Sequence, residues 1–416
     1  MNLIKSLLPG ISRVLSSTSP VIILFVFTKF VPVADIGLLN YFIALITIVG
    51  VLTDFGLPEA VQKFVIQGKD KLERISFTIL AEIILVITGG IVFLLLDWVS
   101  GYRISFGYTL QIFLILIFSS SNVFILIFNG LKENLKTSLY YTLSSIVFIG
   151  LTFALYFFKI TDVVNAFLIG RIVGWAIFAV IPLIELKKQK LIDFSKAHYD
   201  RRFGLFALNV LISTIAYVIM GQWDSILVTN YAGSYENGIY KSVSTLATVP
   251  IVLSVILQTK LLPEFSELVH LGKITELKSE LYKYLKILGV FCITVFVVSI
   301  PLAKFALTII YNEEIAANGL QYFFPILAGV LIYIFTSPIL SVLMALGYEH
   351  FYRNSAIIQS LAFLLASILL ITTFGITILP ILLLLANIVF LILNLIGLRF
   401  SFVDYKIKTN ATSLAL

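Results

Sequence analysis

The sequence predicts an all-α integral membrane protein with twelve transmembrane helices. Of its 416 residues, 60% are hydrophobic and 12% are charged, whereas about 25% of the residues in a soluble domain are charged. The apolar runs are close to 20 residues long, which is the length that a helix needs to cross a bilayer. They lack the alternating ten-residue pattern of an outer-membrane barrel. The mean hydropathy of +1.06 therefore indicates helices that lie in lipid.

The predicted spans follow one another along almost the whole chain. Residues 1–30 have the apolar stretch of a signal peptide, but no small-residue cleavage site follows it, so they are interpreted as an uncleaved first span. The tail, residues 399–416, is predicted to be short and mobile. The predicted spans are 9–31, 36–57, 76–97, 108–129, 138–158, 161–185, 204–231, 239–262, 284–311, 319–346, 351–374 and 376–398.

The distribution of lysine and arginine predicts the orientation of the chain. With the N-terminus in the cytoplasm, 23 of the 29 basic residues fall in inside segments, five fall outside, and Arg171 lies in mid-span. Short cytoplasmic loops of membrane proteins carry this excess of positive charge. Both termini are therefore predicted to be cytoplasmic. The formal net charge of +7 is interpreted as a topology signal, and no nucleic-acid partner is expected.

A weak internal repeat predicts the domain organisation. The second span contains GLLNYF and is followed by Pro58-Glu59, and the eighth contains GIYKSV and is followed by Pro263-Glu264. Two six-span halves that both start inside form a parallel pseudo-repeat. The predicted domains are an N-terminal lobe at 1–186, a basic cytoplasmic linker at 187–203, a C-terminal lobe at 204–398, and a cytoplasmic tail at 399–416.

The sequence argues against an enzyme. The three histidines all fall in predicted cytoplasmic loops, and there is no phosphate-binding loop, nucleophile elbow or zinc-protease motif. The single cysteine, Cys292, excludes a disulfide framework and a cysteine metal cluster. No metal site is expected.

The seventh predicted span carries a carboxylate inside its apolar run. Asp224 continues a helical face that contains Asn209, Ser213, Tyr217 and Met220, at steps of three or four residues. An ionisable group in hydrocarbon costs roughly 2.5–3.5 kcal/mol on insertion scales, so it usually faces a bundle interior or a watery cavity. This face is therefore predicted to line a cavity.

Three further charged groups lie in or near the predicted spans. Arg171 lies near mid-bilayer in the sixth span, one turn before Trp175, and an arginine stays charged even when it is buried. Two interpretations are left open: an ion pair with Asp224 or Glu82, or a site for an anionic ligand. Glu82 in the third span is also compatible with a position near the cytoplasmic interface. Asp54 ends a polar face of the second span.

Three short motifs resemble those of a known family. They are Ser12-Arg13-Val14-Leu15 in the first span, Asp54-Phe55-Gly56-Leu57 at the end of the second, and Trp223-Asp224-Ser225-Ile226-Leu227 in the seventh. This pattern resembles the polysaccharide-lipid flippases of the Wzx type. Those proteins are members of the multidrug/oligosaccharidyl-lipid/polysaccharide exporter superfamily.

The resemblance implies a fold, a substrate and a set of site residues. It implies two six-helix lobes that form a V around a central cavity. The implied substrate is an undecaprenyl-pyrophosphate-linked oligosaccharide (an O-antigen or capsule repeat unit, hence a role in lipopolysaccharide or capsule synthesis), moved from the cytoplasmic to the periplasmic leaflet of the bacterial inner membrane. Arg13 and Asp224 match family positions, whereas Arg171 and Lys29 are added from depth and charge. The expected substrate-binding residues are Arg13, Lys29, Arg171, Lys241, Asn209 and Tyr217, and the expected coupling or gating residues are Asp224, Asp54 and Glu82.

Partners and rival functions follow from the same features. The lipid bilayer and other polysaccharide-assembly membrane proteins are expected partners, no cofactor is expected, and coupling to H⁺ or Na⁺ is left open. A multidrug exporter of the same superfamily is the main alternative, but basic residues outnumber acids among the candidates, which favours an anionic ligand. A membrane glycan polymerase is less compatible, because it would need a large external loop with clustered carboxylates.

Overall fold

All the regular structure in the described chain is helical, as the composition predicts. The computed structural model describes residues 2–66, 71–100, 105–119, 122–131 and 133–414, and within these ranges it contains fifteen α-helices and two short 3₁₀ turns, Phe194–Lys196 and Val249–Ile251. The helices are α1 (Asn2–Phe27), α2 (Val33–Asp54), α3 (Leu57–Ile66), α4 (Lys71–Ser100), α5 (Phe106–Ser119), α6 (Asn122–Gly130), α7 (Asn134–Phe157), α8 (Val163–Lys188), α9 (Arg201–Ala232), α10 (Ser234–Thr248), α11 (Val252–His270), α12 (Ile274–Ile310), α13 (Glu313–Ala345), α14 (Glu349–Phe374) and α15 (Ile378–Leu414).

Ten segments of the described chain are long and apolar enough to cross a membrane, and they coincide with ten of the predicted spans. The first predicted span is not among these ten, because the apolar stretch found in α1, Thr18–Phe27, is shorter than a membrane span. The eighth span is divided into α10 and α11 by the 3₁₀ turn that contains Pro250. Proline lacks an N–H and its ring clashes with the preceding turn, which explains the break. The total of twelve spans therefore stays a prediction.

The second span ends in a turn that the sequence motif explains. Phe55 adopts a left-handed conformation with φ 48°, and Gly56 follows at φ 69°. A Cβ on Gly56 would lie 2.3 Å from the carbonyl oxygen of Ala207 in α9. Glycine is thus required both by the positive φ and by the close approach of α9. The turn starts α3, a short helix that the hydropathy reading missed because it does not cross the membrane.

The first compact unit comprises residues 1–238. One apolar core joins α1, α2, α5, α7 and α8, and a second joins α3, α4, α6 and the start of α9. The helix α9 packs along α2 and α3. By packing, the seventh span is therefore part of the first unit, while the division into lobes at 187–203 stays a prediction.

The second compact unit comprises residues 239–416. Helix α13 is its centre and packs against α11, α12, α14 and α15. Helix α15 does not end at the predicted membrane boundary but continues to Leu414. Leu398 and Phe402 of α15 belong to the apolar cluster of this unit, so packing on one face extends the helix beyond the polar residues that were expected to end it.

The start of α9 predicts a measurable dependence of stability on pH. Asp200 caps the helix: one carboxylate oxygen accepts the N–H of Arg202 at 2.9 Å, and the other lies 3.2 Å from a guanidinium nitrogen of Arg74. The backbone N–H of Arg202 and the Arg74 side chain lower the pKa of Asp200. A lowered pKa means that this stabilisation is present above the unfolded pKa of about 3.9 and is lost as the pH falls through the folded value.

We therefore expect Asp200→Asn to weaken the loss of stability in acid. Asparagine keeps the helix cap but has no charge to titrate, so the thermal unfolding midpoint of the variant should fall less steeply than that of the wild type as the pH is lowered from about 5 to below the unfolded pKa of about 3.9. Thermal unfolding of the purified protein over a pH series measures this. Identical pH profiles for the two proteins would contradict the assignment.

Candidate functional site

The sixth span carries a cation among close-packed helices of the first unit. Helix α8 begins after Asp162, whose carboxylate accepts the N–H groups of Val164 and Asn165 at 3.0 Å. It then packs along α7, and the Ser144 hydroxyl donates to the carbonyl oxygen of Gly174 at 2.8 Å. Arg171 lies one turn of α8 before Gly174, so this contact between α7 and α8 fixes its position.

Arg171 lies in a small polar pocket of about 60 Å³. The carbon atom at the centre of its guanidinium is 5.0 Å from the centroid of the Trp175 ring and 5.3 Å from that of Phe148, within the range of cation–π contacts. The pocket is formed by α1, α6, α7 and α8. Its lining residues are Ser16, Ser19, Asn122, Tyr141, Ser144, Ser145, Phe148, Arg171, Trp175 and Phe178.

No carboxylate of the described chain forms an ion pair with Arg171. The pair with Asp224 or Glu82, one of the two interpretations of the sequence, does not form in this structure. The physical reason is position: Arg171 faces α1, α6 and α7, whereas neither acid lines its pocket. A guanidinium cannot lose its charge, so the pocket is suited to an anionic ligand.

Two acids with buried oxygens lie elsewhere in the first unit, one in α4 and one at the end of α2. Glu82 is 5% exposed, and neither of its carboxylate oxygens has a hydrogen-bond partner in the described chain. Asp54, at the end of α2, also has one buried oxygen without a partner among the described residues. Burying an ionised carboxylate without a hydrogen-bond partner has a desolvation free energy of roughly several kcal/mol.

Glu82 also faces a larger cavity. This cavity has a volume of about 830 Å³ and lies between α4, α5, α6, α8 and the linker after α8. Its lining is aliphatic and aromatic apart from Glu82 and Lys187. Glu82 is thus buried against this cavity, while its depth in the membrane stays a prediction.

Asp224 lies inside α9, about two turns before the end of the helix at Ala232. It is 4% exposed, and one of its carboxylate oxygens accepts the N–H of Ser225 at 2.7 Å. Next to it, the Ser225 hydroxyl donates to Asn237, whose amide donates to the carbonyl oxygen of Gly37 at 2.8 Å. The residue next to the acid is thus part of a hydrogen-bonded chain that joins α9, the start of α10 and α2.

The other predicted substrate-binding residues are not among those that line the Arg171 pocket. Asn209 and Tyr217 are exposed on α9, Tyr217 to 68%. Lys29 is exposed after the end of α1, and Lys241 is buried in α10 in the second unit. Arg13 lies in α1, but its side chain is outside the described part of the structure. None of these assignments is tested by the geometry of the first unit.

Several pocket residues were not predicted. Asn122, Tyr141, Ser144 and Ser145 line the Arg171 pocket, yet they lie on the fourth and fifth spans, away from the polar faces that the sequence analysis followed. In the sequence these residues are visible only as polar side chains inside apolar runs. Such side chains also occur where membrane helices simply hydrogen-bond to each other. The sequence does not show that these residues come together in one pocket.

Solved structures with a similar fold are transporters and flippases. An inward-facing multidrug resistance MATE family transporter of the MOP superfamily matches with a TM-score of 0.68 and 12% identity over 95% of both chains. The lipid II flippase MurJ in an inward closed conformation matches with a TM-score of 0.67 and 16% identity, over 94% of this chain and 87% of that one. A mutant of the Vibrio cholerae MATE transporter VcmN matches with a TM-score of 0.61 and 14% identity over 95% of both chains. The protein thus has the fold of a MOP-superfamily exporter.

The sequence gives the family. The chain belongs to the polysaccharide biosynthesis protein family, whose family model matches residues 6–269. No curated protein matches the sequence. The family match and the fold confirm the resemblance that was predicted from the motifs, and the apolar helices together with the fold confirm a multi-pass membrane protein.

Proposed function

We propose that the protein translocates an undecaprenyl-pyrophosphate-linked oligosaccharide, an O-antigen or capsule repeat unit, from the cytoplasmic to the periplasmic leaflet of the bacterial inner membrane. The observation that supports this most directly is Arg171: a permanent cation in a polar pocket, without a carboxylate partner in the described chain. A phosphate group of the carrier lipid is the anion that a polysaccharide-assembly protein would bring to such a pocket.

The size and chemistry of the pocket fit a phosphate. A volume of about 60 Å³ holds roughly four water molecules, which is about the space of one phosphate group. Arginine binds phosphate through two parallel N–H donors, and the amide of Asn122 and the rotatable hydroxyl of Ser16 are further donors. The aromatic rings of Trp175 and Phe148 keep the guanidinium in place.

Such contacts meet the physical requirement of flipping. A sugar pyrophosphate loses its hydration in hydrocarbon, so the protein replaces that hydration with cations and hydroxyls while the lipid tail stays in the bilayer. Exporters of this kind alternate between inward-open and outward-open forms. In this proposal Arg13, Lys29 and Lys241 assist the phosphates, Asn209 and Tyr217 contact the sugar, and Asp224 biases the conformational equilibrium.

The surroundings of the protein belong to the same proposal. Both termini lie in the cytoplasm, as the distribution of basic residues predicts. The partners are the lipid-linked oligosaccharide, the bilayer and other membrane proteins of polysaccharide assembly.

The rival function is a cation-coupled multidrug exporter. It has one specific observation in its favour, the buried Glu82 in the wall of the 830 Å³ apolar cavity, because a buried carboxylate near aromatic rings suits an organic cation. The anion pocket at Arg171 favours the lipid-linked substrate.

A two-part complementation experiment separates the functions. We expect the protein to restore surface polysaccharide in a flippase-deficient strain that makes the matching repeat unit, and to leave the susceptibility of a pump-deficient strain to cationic drugs unchanged. Surface glycan is measured by gel and antibody, and drug susceptibility by growth inhibition, at matched protein levels. Drug resistance without restored glycan would overturn the proposal in favour of the exporter.

A further inference from the structure

The cavity of about 830 Å³ in the first unit has the size of a ligand site. Protein interiors are close-packed and contain few voids larger than a water molecule, whereas ligand pockets measure roughly 300–1,000 Å³ and have mainly apolar walls with a few polar groups. This cavity fits the second description, because Glu82 and Lys187 are the charged side chains in an otherwise aliphatic and aromatic lining. Its occupant must therefore be largely hydrocarbon.

The cavity is open along the surfaces of α4 and α8. Ile83 and Ile87 of α4 and Val180 of α8 line it, and all three side chains are exposed. Both helices are among the segments that are long and apolar enough to cross a membrane, so their exposed apolar side chains face lipid. The hydrocarbon that enters the cavity therefore comes from the bilayer.

The lining runs parallel to the two helices. On α4 it extends from Ile79 to Ile87, and on α8 from Ala179 to Lys187, which in each case is a rise of about 12 Å. The end of α8 is predicted to be cytoplasmic, so Lys187 marks the cytoplasmic end of the cavity. A slot of this direction and length accommodates one extended lipid chain.

The cytoplasmic end of the cavity carries a free cation. Lys187 is exposed and forms no ion pair with an acid of the described chain. The linker beyond it is held against α4, because the backbone N–H of Asp193 donates to the Ser76 hydroxyl at 2.8 Å. Ile192 and Phe194, on either side of Asp193, line the cavity. Basic pockets between membrane helices on the cytoplasmic side bind anionic lipid headgroups, and Lys187 is placed for such a contact.

Glu82 distinguishes between kinds of anionic lipid. Both of its carboxylate oxygens are buried in the cavity wall without a hydrogen-bond partner in the described chain, and an unsatisfied buried polar group is costly. A polyprenyl phosphate has no polar group on its chain to offer. A glycerophospholipid has ester carbonyls between its phosphate and its chains, and a neutral carboxyl donates a hydrogen bond to a carbonyl oxygen. An organic cation is disfavoured, since it would meet Lys187 in the same cavity.

We infer that this cavity binds an anionic glycerophospholipid of the cytoplasmic leaflet, with its phosphate at Lys187, an ester carbonyl at Glu82 and an acyl chain along α4 and α8. The lipid site and the Arg171 pocket share no lining residue, so the lipid is bound independently of the substrate that the protein moves. Because the linker after α8 forms one end of the cavity, the bound lipid also stabilises the docked position of the linker.

Native mass spectrometry of the full-length purified protein counts bound lipids and measures their affinity. Dioleoylphosphatidylglycerol is the anionic probe, and dioleoylphosphatidylcholine is a zwitterionic lipid with the same chains and esters. We expect one phosphatidylglycerol to bind about fivefold more tightly than phosphatidylcholine, which is the contribution of one lysine to binding an anionic lipid. Lys187→Ala should remove this preference. Lys188→Ala removes an exposed lysine that does not line the cavity and should keep it.

Two further positions test where the lipid lies. Glu82→Leu removes the partner of the ester carbonyl and should weaken phosphatidylglycerol binding about two- to twelvefold, the contribution of one hydrogen bond. Glu82→Gln keeps an N–H donor and should bind like the wild type. Leu183→Trp places a large ring in the cavity, which Leu183 lines, and should abolish the tight site. Thermal unfolding midpoints without added lipid show that each variant is folded.

The outcomes decide between the possible occupants. Equal affinity for the two phospholipids, a preference that survives Lys187→Ala, or unchanged binding in Leu183→Trp would overturn the inference. Undecaprenyl phosphate that binds as tightly as phosphatidylglycerol, with no sensitivity to Glu82→Leu, would assign the cavity to a polyprenyl lipid and overturn it as well. Arg171→Ala should bind phosphatidylglycerol like the wild type, so a failure of the lipid site leaves the proposed function standing, and a failure of the proposed function leaves the lipid site standing.

Discussion

Arg171→Ala is expected to lower polysaccharide export by about 10- to 150-fold at normal protein levels. A hydrogen bond to a charged group contributes about 1.5–3 kcal/mol, and a change of 1.4 kcal/mol is a factor of ten in affinity. The side chain has no carboxylate partner to lose among the described residues, so its removal should affect the ligand more than the fold. Surface glycan in the complemented strain, together with the thermal unfolding midpoint of the purified variant, measures both effects.

Two further variants test the cause of this loss. Arg171→Lys keeps the positive charge but loses the forked donor geometry and the stacking on Trp175, so export should be intermediate between that of the wild type and that of Arg171→Ala. Lys159→Ala removes an exposed cation from the loop between α7 and α8 and should export like the wild type. Full export by Arg171→Ala would contradict a role in binding an anion. So would a large fall in the unfolding midpoint of that variant, because the loss of export would then come from loss of the folded protein.

The sequence predicted the location of the charges better than their contacts. Hydropathy and length were enough to place Arg171 inside a span, because an arginine interrupts an apolar run visibly. Its neighbours could not be found in this way, since Ser16, Asn122 and Ser144 come from three other helices. Their convergence depends on which faces of α1, α6 and α7 meet α8, and that is decided by packing.

The same limit explains the ion pair that does not form. Arg171 and Asp224 are opposite charges within spans, and pairing is the usual way to stabilise such groups. In the structure Arg171 faces α7 and α1, whereas Asp224 is buried on α9 and does not line the Arg171 pocket. The spacing of polar residues in the sequence indicates which face of a helix is polar. It does not indicate which other helix packs against that face.

The repeat motifs carried more structural information than their weak similarity suggested. The glycines that open GLLNYF and GIYKSV, Gly37 and Gly238, lie against each other's helices: a Cβ on Gly37 would be 2.6 Å from the backbone nitrogen of Gly238, and a Cβ on Gly238 would be 2.1 Å from the carbonyl oxygen of Val33. Small residues allow membrane helices to approach this closely. The motif therefore marks the place where α2 and the start of α10 cross.

Gly37→Ala is consequently expected to destabilise the protein by roughly 3 kcal/mol or more, at or above the usual range for overpacking. The added Cβ would lie 1.7 Å from the carbonyl oxygen of Ser234, and because this is a backbone atom, the helices must move apart. That movement also strains the hydrogen bond from Asn237 to the carbonyl oxygen of Gly37.

Gly50 is the matched control in the same helix, since a Cβ there meets nothing within 4 Å. Gly50→Ala should be neutral or stabilising by about 0.5–1 kcal/mol, the usual gain when alanine replaces a helical glycine. Opposite shifts of the thermal unfolding midpoint in these two variants would support the crossing, and equal shifts would show that α2 and α10 do not approach so closely in the folded protein.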